Sequence, residues 1–381
     1  MTAVNVMLGT LGLAAVGSFS SNPYWQRLSG ALGTPAKAAV AVAIVLGVAP
    51  LLFVQVIYDP FWYTSNVISA WWLLGFLAVL TVAYLALYRW YGLNHSYADD
   101  GTPSSRPGAP RGGFWLAGSL LLMIVCGAIM HAVVNQSLQP AEWMNWYAPG
   151  GTIVPYGREL HSLTIGRLAF FLLLSLPVTA AWLFGMRRYL LSSGETDYGY
   201  VDFIEGLAHA MAKAGAVLLA AGALWMAALP ENMEWFRTSV WMWIALVPIA
   251  YFGAMSFIQK KRKLCIFCNY MAFGMTIIMT IVLAAVREVL RFVTLLDAVG
   301  WNALDYKITM DWPSTAIFFV TFLVLGGLNL SYLLTLAWKS GQTKDLYTPS
   351  SGLTRVGTLA IASHICWVAG YFIIGWIVIN G

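Results

Sequence analysis

Apolar residues along the chain gather in long, nearly unbroken runs, without the alternation of a half-buried strand or the three-to-four-residue spacing of a surface helix. The runs fall at Val4–Phe19, Ala38–Ile57, Val67–Trp90, Phe114–Val134, Leu163–Met186, Gly206–Leu229, Thr238–Ile258, Cys265–Val286, Pro313–Trp338 and Val356–Ile379. A hydrocarbon core requires about 20 apolar residues per helical crossing, because each backbone polar group there must be bonded within its own helix. The pattern therefore predicts an all-α, polytopic membrane helix bundle of about ten transmembrane helices, a single membrane domain over residues 1–381. The first run is the shortest.

Composition strengthens this picture. The chain is 60% hydrophobic and 10% charged, against about 25% charged residues in an ordinary globular domain. Charge placement adds a direction, since cytoplasmic connections keep Lys and Arg. Alternate connections hold Arg27 and Lys37, then Arg89, Arg106 and Arg111, then Arg187 and Arg188, then Lys260 to Lys263, then Lys339, Lys344 and Arg355. The opposite set holds only Arg158, Arg237, Arg287, Arg291 and Lys307. Ten crossings with both termini periplasmic satisfy this bias at every loop, in a bacterial inner membrane. The formal net charge of +5 then reports topology and does not point to nucleic acid. The amino-terminal run lacks the basic flank of a cleavable signal and is read as retained. Residues 92–113, rich in Pro, Gly and Ser, read as a flexible cytoplasmic linker.

Polar groups inside apolar runs are costly and mark candidate function. His131 near the end of the fourth run and His161 at the start of the fifth share the outer level, whereas His209 and His364 lie toward the cytoplasm and His95 falls in a loop. Two strong-field ligands at equal depth suit a low-spin heme b. For His209 and His364 a bond to a backbone carbonyl, or anchoring at the interface, is the preferred reading. The segment GRELHSLTIGR, residues 157–167, concentrates Arg158, Glu159, His161 and Arg167. Arginines there suit propionates, and a carboxylate beside a histidine suits protons leaving an oxidised quinol. On the same side PENMEWFRTS, residues 230–239, brings Arg237, with Met242 shortly after. Cys265 and Cys268 form a CxxC at the cytoplasmic entry to the eighth run, but Cys126 and Cys366 lie in other helices, so two packed thiols are expected rather than a metal site. Lys213 is read as snorkelling, and REVLR, residues 287–291, as a continuation of the eighth helix out of the membrane, resembling an interfacial turn, whose arginines could also meet a propionate or a partner.

Three segments carry a resemblance. VAIVLGVAPLLFVQVIYDPFW, residues 42–62, is similar to the second helix of cytochrome bd oxidase subunit I, and residues 157–191 resemble its fifth helix, in which a histidine ligates a low-spin heme b. Phe236-Arg237 followed by Met242 resembles the start of its seventh helix, which carries the heme methionine. The resemblance implies His161 and Met242 as axial ligands, with His131 as an alternative, and Arg158, Glu159 and Arg237 around quinol or propionates. The chain also departs from that family. Its first run has no histidine, its third has no acidic residue, and the loop between the sixth and seventh is about ten residues. A relative without the oxygen-reducing ligands is therefore implied: a membrane subunit of a respiratory electron-transfer complex that oxidises quinol and passes electrons through a periplasmic-side heme b to a c-type cytochrome or iron–sulfur partner. It is not an oxygen reductase. No CxxCH occurs, so covalent heme must come from that partner. A heme-free membrane anchor that docks redox subunits, and a secondary transporter using Arg167 and Lys213, are the alternatives.

Overall fold

The computed structural model describes residues 1–97, 103–105, 108–154, 156–261, 268–305, 312–343 and 346–380. The chain forms two compact units, Met1–Arg188 with Asp197–Tyr306, and Tyr189–Thr196 with Lys307–Gly381. The larger runs through α1 (Thr2–Phe19), α2 (Pro23–Ile57), α3 (Asp59–Ile68), α4 (Ala70–Asn94), β1 (His95–Tyr97), β2 (Pro103–Ser105), α5 (Gly113–Gln136), α6 (Trp143–Tyr147), α7 (Ile165–Leu173), α8 (Ser175–Ser192, its last turn in the smaller unit), α9 (Tyr198–Lys213), α10 (Ala216–Ala227), α11 (Val240–Lys261) and α12 (Cys268–Val299). The smaller holds α13 (Trp312–Thr321), α14 (Gly327–Ser340) and α15 (Ser351–Asn380). Among the described residues nine helical stretches are long and apolar enough to cross a membrane, and the structure is all-α apart from one short hairpin.

Nine of the expected runs match these stretches; Gly206–Leu229 does not form one continuous helix. It is divided between α9 and α10, of 16 and 12 residues. At the break the Gly215 amide bonds the Ala212 carbonyl at 3.0 Å, and a Cβ on Gly215 would stand 3.0 Å from the Phe252 carbonyl oxygen. Close approach of α11 thus displaces the helical ladder at a residue with no side chain to obstruct it.

Three other expectations change. α2 begins at Pro23, well before Ala38, because Asn22 accepts from the Tyr24 amide at 2.8 Å and Pro23 occupies the first helical position. α12 runs for 32 residues, and REVLR continues it as expected, but the segment is not exposed as an interfacial turn would be: Arg291 is only 6% exposed. The linker is partly built: β1 and β2 pair antiparallel with His95 opposite Ser105, and Asn94 bonds both the amide and the carbonyl of Arg111, at 2.6 and 2.8 Å. His95 is buried there, bonded to the Gly30 and Tyr91 carbonyls and stacked on Tyr91 at 4.0 Å. Desolvation holds its pKa below the ordinary imidazole value.

Within the larger unit, α1 packs on α2 through small residues: Ser18 meets Ser29 at 2.9 Å, and Ser29 donates to the Ala14 carbonyl at 2.7 Å. Such contacts let helices approach where lipid supplies no hydrophobic drive between them. One apolar cluster joins Phe170, Leu174, Leu218, Ile249, Phe252 and Leu283. A second joins Tyr58, Phe61, Leu229, Phe236, Val286 and Leu290. The site lies where these meet.

A polar strap beside an aromatic cavity

The final turns of α5 carry His131, Asn135 and Gln136, and four-residue spacing puts the first two on one face. Residues 157–164, ahead of α7, have no helical hydrogen bonding of their own, and in an apolar surrounding their backbone groups must be bonded by neighbours. Side chains from α4 and α5 do this. Asn135 Nδ2 donates to the Ser162 carbonyl at 3.0 Å and to Thr164 Oγ1 at 3.1 Å. Gln136 Oε1 accepts from the His161 amide at 3.1 Å, and its Nε2 donates to Ser69 Oγ at 3.0 Å. Ser69 Oγ also donates to the Glu159 carbonyl at 2.7 Å, and Trp72 Nε1 to that of Arg158 at 2.8 Å. Gly157 takes φ +55°, with its absent Cβ 2.8 Å from the Ala70 amide nitrogen. Only glycine meets both conditions without strain.

Arg167 sits in the first turn of α7 with 4% exposure. Its Nη1 donates to Asn135 Oδ1, and its guanidinium lies over the Trp225 ring at 5.6 Å. Its Nε is buried without a hydrogen-bond partner among the described residues. His131 Nε2 donates to the Thr164 carbonyl at 3.1 Å, with Asn135 Nδ2 packed 3.2 Å from it. His161 stacks flat on Trp146, centroids 5.0 Å apart, with Nε2 3.9 Å from Glu159. Burial lowers the His161 pKa, and the Glu159 carboxylate partly opposes that. Arg158 and Glu159 are exposed, Arg158 over the Tyr156 ring at 5.1 Å.

Trp225 is also a wall of a cavity of about 220 Å³, lined among others by Phe170, Phe171, Phe236, Met242 and Arg287. An apolar void of about 150 Å³ accepts one benzene ring, so this volume suits a substituted or fused aromatic ring. Arg237 stands behind Phe236, where it bonds the last carbonyls of α10: Nε to Met226 at 2.9 Å and Nη2 to Ala227 at 3.5 Å, with Nη1 on Glu234 at 2.9 Å. That is helix capping by a cation at a helix C-terminus.

The structure thus joins His131, His161 and Arg167 through Asn135, Gln136 and the 157–164 backbone, and sets Met242 in the adjoining cavity. Neither histidine lines that cavity. For an iron macrocycle the donors divide: His131 Nε2 is spent on a hydrogen bond, whereas His161 Nε2 is held only loosely and can ligate. The cavity's volume suits a single ring system and not a macrocycle between His161 and Met242. Asn135, Trp225 and Arg287 were not singled out from sequence as site residues; the signal for the first was its four-residue spacing from His131.

Of the inner histidines, His364 has the expected bond to a backbone carbonyl, whereas His209 bonds a side chain. His209 bonds Ser256 at 3.0 Å and faces Glu205 at 3.8 Å, and His364 bonds the Ala360 carbonyl and Asn329. Lys213 is exposed at the end of α9. Cys126 is buried and Cys366 exposed; Cys265 and the side chain of Cys268 lie outside the described residues. Among the described residues no group of three His, Cys, Asp or Glu could hold a metal ion. No protein-family model, curated protein or solved structure matches the chain.

Proposed function

We propose that this chain is the membrane subunit of a respiratory electron-transfer complex, that it oxidises quinol, and that it hands electrons to a c-type cytochrome or iron–sulfur partner. In this reading α9 and α10 together make a crossing. The bundle then has ten transmembrane helices with both termini periplasmic, in a bacterial inner membrane, and the strap lies at the periplasmic level. The basic-loop bias supports that orientation.

The observation that carries the reading is the run of polar groups from the cavity wall to the exterior. A quinol ring in the cavity lies against Trp225, behind which Arg167 fixes Asn135, and Asn135 fixes Thr164, to whose carbonyl His131 donates. The strap then reaches His161 and the exposed Glu159. Oxidation of a quinol releases two electrons and two protons. Glu159, beside His161, is an acceptor at the open end, and His131, whose Nε2 hydrogen is donated to the Thr164 carbonyl, can take a proton only at Nδ1. Arg167 stays charged and orders the acceptors. A heme b, when bound, would supply a one-electron acceptor; among these residues His161 is the ligand it would take, and Met242 is set aside because its cavity does not suit a macrocycle.

A reduced-minus-oxidised absorption spectrum of the purified protein tests the redox reading. An α band of heme b that is lost or shifted in His161→Ala is the expected result. Well-folded protein with no such band rules out a resident heme, and a band unchanged in His161→Ala overturns the ligand assignment. A heme-free anchor that docks redox subunits is the second reading. It is favoured by the His161 ring, which is covered on one face by Trp146 and meets Glu159 at Nε2. The transporter reading draws on the α9–α10 interruption alone. Substrate-driven flux in liposomes free of redox partners would establish it.

A further inference from the structure

Arg287 lines the aromatic cavity, and its Nε is buried without a hydrogen-bond partner among the described residues. Arg167, behind the Trp225 wall, is in the same condition. Arg291, one turn beyond Arg287 on α12, is 6% exposed and lies over the Tyr58 ring at 5.3 Å. Four-residue spacing puts Arg287 and Arg291 on one face of α12, so their charges add there. Glu288 is the carboxylate beside them; it pairs with Arg291 at 3.2 Å and its side chain is 45% exposed. Three buried or half-buried cations and one carboxylate leave an excess of positive charge against an apolar cavity. Charged groups at this depth are ordinarily paired, and guanidinium donors are shaped for an oxyanion.

Resting on the quinol reading above, we infer that the cavity takes its ring ligand as an oxyanion, the ionised hydroxyl of a quinol, held by Arg287. Arg167 is a positioning residue whose charge acts from behind Trp225 and whose bond to Asn135 aligns the strap. The aromatic and aliphatic walls take the ring. Arg287 fixes which edge points inward, and the excess charge favours the ligand after it has lost its first proton. The proton leaves to water at the open end of the strap, and no electron moves in this binding step.

The test compares two probes of nearly equal shape on the full chain in lipid nanodiscs: an alkylated hydroxynaphthoquinone, anionic at neutral pH, and its neutral methyl ether. Binding is read from quenching of tryptophan fluorescence. A charge-assisted hydrogen bond exceeds a neutral one by enough to give roughly a tenfold difference in affinity, so the anion binds the wild-type chain about tenfold tighter. Arg287→Gln brings the two probes to equal affinity, and Arg287→Lys keeps the preference for the anion. Equal affinities in the wild-type chain overturn the inference and leave the quinol site standing. No saturable binding of either probe overturns both. A preference unchanged in Arg287→Gln overturns the assignment to Arg287, and displacement of the anion by oleate but not by a quinol assigns the oxyanion to a fatty acid instead.

Discussion

Asn135 is the hub of the strap, and a double-mutant cycle with Arg167 measures how far the hub depends on the cation. The amide is 3% exposed, with its oxygen on Arg167 and its nitrogen shared between the Ser162 carbonyl and Thr164. Asn135→Leu keeps the side chain's approximate volume and removes all of these. The bond to the guanidinium contributes about 1.5–3 kcal/mol, and neutral bonds between membrane helices average about 0.6 kcal/mol each. The expected loss is therefore about 2–4 kcal/mol, since a buried guanidinium is left without that acceptor. Arg167→Met removes the charge along with its need, and is expected to change stability by less than about 1 kcal/mol. The double variant escapes the stranded charge. Its destabilisation falls short of the sum of the single changes by about 2 kcal/mol, measured from unfolding equilibria in mixed micelles of rising dodecyl sulfate content. Additivity within about 0.5 kcal/mol would refute the argument that Arg167 is held by Asn135.

Acidification is expected to weaken the fold through His95. Its native pKa is depressed by burial, so below the ordinary imidazole value of about 6.5 the unfolded chain binds more protons than the native one, and stability falls with falling pH. His95→Gln flattens the dependence of the melting temperature on pH between about 7 and 5. Arg237→Gln uncaps α10 and costs about 1–2 kcal/mol in the micelle assay; a change under about 0.3 kcal/mol would mean that the Met226 and Ala227 carbonyls do not need it. Gly157→Ala forces a Cβ onto the Ala70 amide at a positive φ, with a loss of about 1–3 kcal/mol in the same unfolding equilibria.

The spanning stretches were legible because hydropathy responds to long apolar composition, which a bilayer dictates directly. The same quantity is blind to the break at Ala214–Gly215, where composition stays apolar on both sides and the cause is the approach of Phe252 from another helix. The burial of REVLR was missed for a related reason: expected to leave the membrane as a helical extension, it carries Arg287 and Arg291 on a face of α12 shared with Leu283 and Leu290, and that four-residue spacing was the available signal. At the site, the density of charge in residues 157–167 pointed to the strap. Its partners Gln136 and Ser69 come from α5 and from the residue just before α4, and their roles depend on a contact between segments that no local pattern records. His95 taught the opposite lesson: a loop position by composition, it is buried because the β1–β2 hairpin folds it between Gly30 and Tyr91.

The central claim, that the cavity between α7, α10, α11 and α12 receives a quinol, is tested most directly by filling it. Ala245 lines the cavity, and Ala245→Trp places an indole in the space a ring ligand needs. Binding of a short-chain quinol to the folded variant in nanodiscs, read by equilibrium titration beside the wild-type chain, is expected to weaken at least tenfold. This corresponds to a loss of about 1.4 kcal/mol. A variant that melts at the wild-type temperature and binds the quinol with unchanged affinity would contradict the account.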